Sequence, residues 1–294
     1  MITLAPLAAL ICLAACAQPP ATSPPPTDTP HETQPMSIAE AIKKKDWRAV
    51  QSAQASGPAV VPQVEPFTRD ADMVVRALAT DCLAAAGGPR AQDLMINALL
   101  DTSEQVRIAA VNGLHARPPQ GKEPDLFAAW DKAGDQRDGY VRQQVPMIVG
   151  RLGTPESIND IKARRHDDKR GFVQDGLLSG LAKLADPDAR REVGRTIRAS
   201  FGKRIAEFMP FVTYLDHEWT LPYLLPLMDH YEEALELSTH IISFKRRGVD
   251  LAIDEVLRLK PALFQIPRDT TGNYTPAQIA EVKKYLASLP PALY

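Results

Sequence analysis

The side chains of this 294-residue chain that could do chemistry fall into a few groups, each with a chemical and a structural reading. Asp216-His217-Glu218 and Asp229-His230, with Glu233 and His240, are ligand types suited to a divalent metal. His230 and Glu233 stand three residues apart, which puts both on one face of a helix. No second His-x-x-Glu pair reinforces them, so no bound metal and no cofactor is expected. Arg76, Arg107 and Arg142 recur at regular intervals and would suit an anion. Asp70 and Asp101 recur with them, six residues before the arginine, which favours stacking contacts between carboxylate and guanidinium. Cys82 lies on an apolar stripe and reads as a small buried hydrophobe rather than a nucleophile. No phosphate loop, dinucleotide glycine fingerprint, zinc-protease helix or nucleophile elbow is present. No catalytic residue, and no enzymatic activity, is therefore expected.

The arginines belong to a block that recurs through the middle of the chain. Copies start at Val75-Arg76, Val106-Arg107, Val141-Arg142 and Val173-Gln174, in steps of 31, 35 and 32 residues. Each copy opens with an apolar stripe at offsets of three, four, seven and eight, the pattern of an amphipathic helix. The stripes are Val75, Leu78, Ala79, Cys82 and Ala86; Val106, Ala109, Ala110, Gly113 and Leu114; Val141, Val145, Ile148, Val149 and Leu152; Val173, Leu177, Leu181 and Leu184. Gly87-Gly88 and Gly153 stand where a left-handed residue would end the first helix. Pro89, Pro124, Pro155 and Pro187 then suit the first turn of a second helix, where a missing N–H costs nothing. Asp70, Asp101 and Asp168, with Gln136 in the equivalent place, are positioned to cap the first helices.

A fixed period of this length predicts stacked helical hairpins. The matching residues, Asp70 with Val75-Arg76, Asp101 with Val106-Arg107, Val141-Arg142, and Asp168 with Val173-Gln174, resemble the HEAT-repeat family over roughly 70–200. Gln136 and Gln174 depart from the family's Asp and Arg and interrupt the expected ladder. The resemblance implies an all-α solenoid of about five to seven helical hairpins with atypical capping helices. It also implies a scaffold or receptor for other macromolecules. Two enzyme classes use similar repeats. Deoxyhypusine-hydroxylase-like proteins need several His-Glu pairs, and the region after the tether offers only His217-Glu218. Bilin lyases are set aside because the N-terminus points to export.

That N-terminus is an apolar run, Leu4 to Leu13, too short to span a bilayer and suited to a signal peptide. Leu13-Ala14-Ala15-Cys16 resembles the bacterial lipobox, which implies that Cys16 carries lipid. Met1-Ile2-Thr3 lacks the usual basic residue, as it would if the true start lay upstream. Ala17 after the cysteine points to the outer rather than the inner membrane. Residues 17–35 hold seven prolines and cannot form a core. As a polyproline tether they would extend on the order of 60 Å. The expected organisation is a signal peptide at 1–15, the lipidated cysteine and tether at 16–36, and a solenoid at 37–294 facing the periplasm. Segments 37–44, 46–55 and 58–67 read as capping helices. Segments 203–215 and 219–228, 231–244 and 249–259 read as two further hairpins, and 276–289 as a last helix behind a Thr275-Pro276 start.

The net charge of −2 gives no general attraction to nucleic acid, and none is expected as a partner. Charge is unevenly spread. Lys162 to Arg204 holds twelve basic residues against six acidic, whereas 205–244 holds no Lys or Arg and seven acidic residues. Arg164, Arg165, Lys169 and Arg170 form a candidate basic patch, or else the solvated face of a hairpin. Phe208, Phe211, Tyr214, Trp219 and Tyr223 are candidate anchors for a partner, or else the core of an irregular hairpin. The function expected from all this is a membrane-anchored periplasmic scaffold that binds another envelope protein. The alternative is a carrier or sensor that binds a small ligand or metal in region 205–240.

Overall fold

A computed structural model describes residues 36–133, 139–199, 203–228, 239–268, 270 and 274–291, and every regular element among them is helical. The N-terminal cap is α1 (Ile38–Lys43), α2 (Arg48–Ser56) and the short α3 (Val61–Val64), flanked by 3-10 turns at Gly57–Val60 and Glu65–Arg69. Pro58, Pro62 and Pro66 each fall in the first turn of one of these pieces, so the stretch advances in single turns instead of one helix.

Four hairpins follow: α4 (Met73–Ala86) with α5 (Pro89–Ala98), α6 (Glu104–Ala116) with α7 (Glu123–Ala133), α8 (Tyr140–Leu152) with α9 (Ser157–Asp167), and α10 (Gly171–Lys183) with α11 (Pro187–Ala199). The first helices stack in sequence as one layer, continued by α12 (Lys203–Leu215), and the second helices pack against that layer. The repeat-derived apolar stripes are its core; of the stripe positions only Leu152 is half-exposed. Gly87 and Gly153 take the positive φ expected of helix-ending glycines, 71° and 75°. Pro89 and Pro187 are first helical residues, Pro124 is the second, and Pro155 stands just ahead of α9.

The tightest junction is between α8 and α10. A Cβ on Gly176 would strike the Gln143 carbonyl, and one on Gly180 the Pro146 carbonyl, so the two backbones touch where side chains normally intervene. Pro146 lies inside α8 and lacks the N–H that would bond the Arg142 carbonyl. Trp130 replaces it: its indole Nε1 donates to that oxygen at 3.0 Å. Arg142 returns a bond from Nε to the Trp130 carbonyl at 3.2 Å, with its guanidinium 4.4 Å from the indole centroid.

At two junctions the ladder runs from the arginine of one copy to the aspartate of the next. Arg76 makes a two-pronged contact with Asp101, both bonds 2.9 Å, and Arg142 reaches Asp168 at 3.2 Å. The aspartates do not cap the helices, as the sequence led us to expect. Asp72 caps α4, and the side chains of Asp70, Asp101 and Asp168 accept from the backbone N–H two residues on, fixing the turn before each helix. Gln174 stands in for the arginine locally. Its amide donates to the carbonyls of Asp168 and Arg165, as Arg76 and Arg107 donate to those of Asp70 and Asp101. Gln136 lies outside the described residues.

After α12 the layout differs from expectation. Glu218–Tyr223 is a 3-10 turn, followed by a helical turn at 225–228, where one helix was expected; Pro222 falls inside the turn. The expected break between 244 and 249 is absent, and α13 runs unbroken over Thr239–Leu259. The last helix, α14 (Pro276–Ser288), begins with a full capping box between Thr275 and Gln278.

Candidate functional site

The basic residues of 162–204 are largely engaged within the molecule. Arg164 donates to Asp131 at 2.9 Å and lies 4.3 Å from the Phe127 ring centroid. Arg165 bonds Gln174 at 3.1 Å and Glu192 at 2.5 Å. Arg170 turns back on Asp168, with bonds of 3.0 and 2.5 Å. Foremost the Arg170 guanidinium, with backbone N–H and Arg142, holds the Asp168 carboxyl down to about 2. Lys162, Arg191 and Arg204 face Asp186, Asp188 and Asp175. Lys169 is exposed.

The aromatic residues divide between core and surface. Phe208, Phe211, Tyr214 and Tyr223 are buried, and Trp219 is half-buried. Phe208 and Phe211 pack on each other at 5.8 Å. Tyr223 lies against Gly194, where any Cβ would strike its ring. Trp219 meets Tyr223 edge-on at 6.2 Å and helps line a recess of about 330 Å³ with Leu221, Pro222, Tyr285 and Leu289. An ion pair between Lys260 and Glu218 sits at its rim.

Among the described residues no three His, Cys, Asp or Glu side chains come together in a way that could hold a metal ion. His217 donates no contact to a second ligand of that kind; its Nδ1 accepts from the Trp219 backbone N–H at 3.2 Å and caps the 3-10 turn. Asp229, His230, Glu233 and the lipidation candidate Cys16 lie outside the described residues. Cys82 is fully buried, and burial pushes its thiol up to about 12.

Two groups went unrecognised in the sequence. The first is an exposed patch at the N-terminal end. Trp47 is 63% exposed, Met73 48% and Val74 39%. An ion pair at 2.5 Å between Lys45 and Asp72 ties the α1–α2 turn, two residues before Trp47, to the start of α4, one residue before Met73. Lys43, Lys44, Lys45 and Arg48 flank Trp47 in the chain and are exposed, with Lys44, Lys45 and Arg48 paired to Glu40, Asp72 and Asp46. Single apolar residues of this kind carry no periodic signal, so only the fold assembles them.

The second group gathers about Tyr214. The Tyr214 hydroxyl donates to the Met147 carbonyl at 2.6 Å across a site that only Gly150 leaves open. His115 meets its ring edge-on at 6.3 Å, and the Arg151 guanidinium and Lys183 ammonium stand 5.2 and 5.9 Å from its centroid. The repeat did carry a signal for it. Arg151 and Lys183 each fall nine residues after the Arg or Gln of their copy, where the first two copies have Ala85 and Ala116.

No protein-family model matches the chain, and no curated protein matches it. Among solved structures it is similar to the complex of CpcE and CpcF of phycocyanin lyase from Nostoc sp. PCC7120. The likeness covers 91% of this chain and 100% of that one, at 16% identity and a TM-score of 0.49. It is a likeness of fold between helical solenoids. It also corrects two expectations. The similar structure is of a phycocyanin lyase, which runs against the expectation of a chain without enzymatic activity, and that expectation is not kept. The periplasmic scaffold, with its carrier alternative, is likewise not retained, nor is the exclusion of lyase-type repeats on the ground of export.

Proposed function

We propose that this chain works in complex with another protein, which it grips through the patch formed by Trp47, Met73 and Val74. The observation that carries this reading is the exposure of a tryptophan beside two further apolar side chains on a molecule whose other large apolar side chains are mostly buried. Tryptophan is the side chain most often found at the energetic centre of protein interfaces, because one rigid ring buries a large area at little entropic cost. Lys44, Lys45 and Arg48 nearby are paired with Glu40, Asp72 and Asp46, so the matching surface of the partner is an apolar pocket with a rim of mixed charge. The finer identity of that partner, and attachment of the chain to a membrane by a lipid on Cys16, with the outer membrane favoured by Ala17, belong to the same proposal.

A photoreactive residue placed at position 47 tests the docking reading in cells. It is expected to give one dominant crosslinked species, which disappears when the exposed Met73 and Val74 are changed to Asp. The same species from a residue placed at the distant Arg191 would remove the patch from consideration. For the anchor, Cys16→Ser is expected to abolish uptake of labelled fatty acid and to release the chain from membranes. Unchanged labelling would end that part of the proposal.

A further inference from the structure

We propose that Arg151 and Lys183, set about the Tyr214 ring, form a binding site for a small oxyanion: a carboxylate or phosphate group on a soluble ligand. The site is distinct from the patch at Trp47 and does not depend on it.

Three observations converge. The cations occupy equivalent positions of two consecutive repeats, at the C-terminal ends of α8 and α10, which are the most closely packed helices of the molecule. A repeat that places Ala85 and Ala116 at this position places two full charges here, side by side in adjacent layers.

Neither charge is in direct contact with a carboxylate among the described residues. Most of the arginines described above reach a carboxylate: Arg76 on Asp101, Arg142 and Arg170 on Asp168, Arg164 on Asp131, Arg165 on Glu192, Arg204 on Asp175. Among the described residues no carboxylate is in ion-pair contact with Arg151 or Lys183. The neighbouring carboxylate, Asp216, is taken by Arg258 at 2.5 Å, and Arg258 also holds Glu255 at 2.8 Å. Lys183 uses one donor on the Leu215 carbonyl at 2.7 Å, which closes the end of α12. An ammonium has three donors, so this bond leaves capacity for a ligand. Arg151 is exposed, and its fork of N–H groups suits two oxygens of one carboxylate or phosphate.

The neighbouring His115 and Gln144 are polar and neutral. The His115 Nε2 lies 2.9 Å from the Gln144 amide oxygen, and its buried Nδ1 has no hydrogen-bond partner. Burial, with Arg151 repulsion beside it, pushes this imidazole down to about 4, so it is neutral near pH 7. Burial also lowers the Lys183 ammonium; Asp216 opposes that effect, and Arg151 and Arg258 add to it. Asp216 offsets part of the repulsion between the two cations without contacting either, and a bound oxyanion in direct contact relieves the rest. A purely structural role accounts for Lys183 as the cap on α12, but it gives Arg151 nothing beyond the face of one ring.

Calorimetric titration of the full chain at low ionic strength tests the site, using inorganic phosphate in one series and succinate in another. At least one of the two is expected to bind. Arg151→Gln and Lys183→Gln are each expected to weaken that binding by about tenfold or more, the scale of one lost charge-assisted bond. Arg191→Gln, on α11, is expected to leave it unchanged. Binding of phosphate alone assigns a phosphate ligand, binding of succinate alone a carboxylate, and binding of both the shared oxyanion chemistry. Absence of heat with either anion up to about 10 mM, far above the affinity that two charge-assisted contacts imply, overturns the proposal. Equal affinity in Arg151→Gln, with its helical circular dichroism unchanged, overturns it as well.

Discussion

Arg76 and Asp101 stand 25 residues apart in the chain, yet meet through two bonds of 2.9 Å in a half-dry layer between repeats. Removing one partner leaves the other charge poorly solvated, so Asp101→Asn is expected to cost about 1–3 kcal/mol, read by urea unfolding. Asp168 makes the pH dependence of this ladder visible. The unfolded chain takes up its proton near the ordinary carboxylate value, and the folded chain only near 2. The stabilisation, about 2 kcal/mol, is therefore whole above about pH 4 and is lost as pH falls toward 2. Asp168→Asn should differ most from the parent at neutral pH and converge with it in acid. His115 and Asp81 oppose each other at milder pH. Burial depresses the imidazole to about 4 and raises the Asp81 carboxyl to about 6. The unfolded chain protonates His115 first as pH falls below about 6.5, so that group costs stability on going down toward 4. Asp81 ionises first in the unfolded chain as pH rises above about 4, so it costs stability on going up toward 6. Denaturation from pH 4 to 7 should show a steeper rise in stability with pH for Asp81→Asn than for the parent, and a shallower one for His115→Gln.

At the scale of the element, the register of α8 against α10 depends on two glycines. Gly176 and Gly180 lie one turn apart and bring the helix backbones into contact with Gln143 and Pro146. A methyl group there has to push backbone aside, so Gly176→Ala is expected to lower stability by about 1–3 kcal/mol despite the better helix propensity of alanine. Thermal unfolding by circular dichroism reads that change. The same helix shows how a proline is tolerated in its interior. Pro146 frees the Arg142 carbonyl, and the Trp130 indole occupies it. Trp130→Phe leaves that oxygen without its donor and should cost about 1–3 kcal/mol, whereas Trp47→Phe, with its ring in solvent, should be close to neutral.

For the molecule as a whole, each hairpin packs mainly against its neighbours, so stability is a sum of local and nearest-neighbour contributions. The closest contacts are at α8 and α10, in the middle of the stack. Amide exchange should accordingly be slowest there and faster toward α1 and α14, where short helices and 3-10 turns make fewer interhelical contacts. A protein built this way offers separate places for separate tasks. The apolar patch at Trp47 lies at one end, and the cations about Tyr214 lie where the regular repeat gives way to α12.

The sequence by itself determined the hairpins. Heptad-like apolar offsets, glycines at helix ends and prolines at helix starts act within a few residues, so they are readable without any distant contact. It also showed which Asp and Arg recur and that they would meet between neighbouring copies, though not that each contact runs from an arginine forward to the next copy's aspartate. Tertiary structure alone decided that Phe208, Phe211, Tyr214 and Tyr223 face inward, because the apolar space they fill is formed by α10, α11 and their neighbours and not by their own helix. It decided that Arg164, Arg165 and Arg170 are bound to carboxylates 2 to 33 residues away. It left Arg151 and Lys183 without such partners, for the same reason. Charge neutralisation depends on which side chains the stacked layers bring within about 4 Å, and no count of charges along the chain contains that distance.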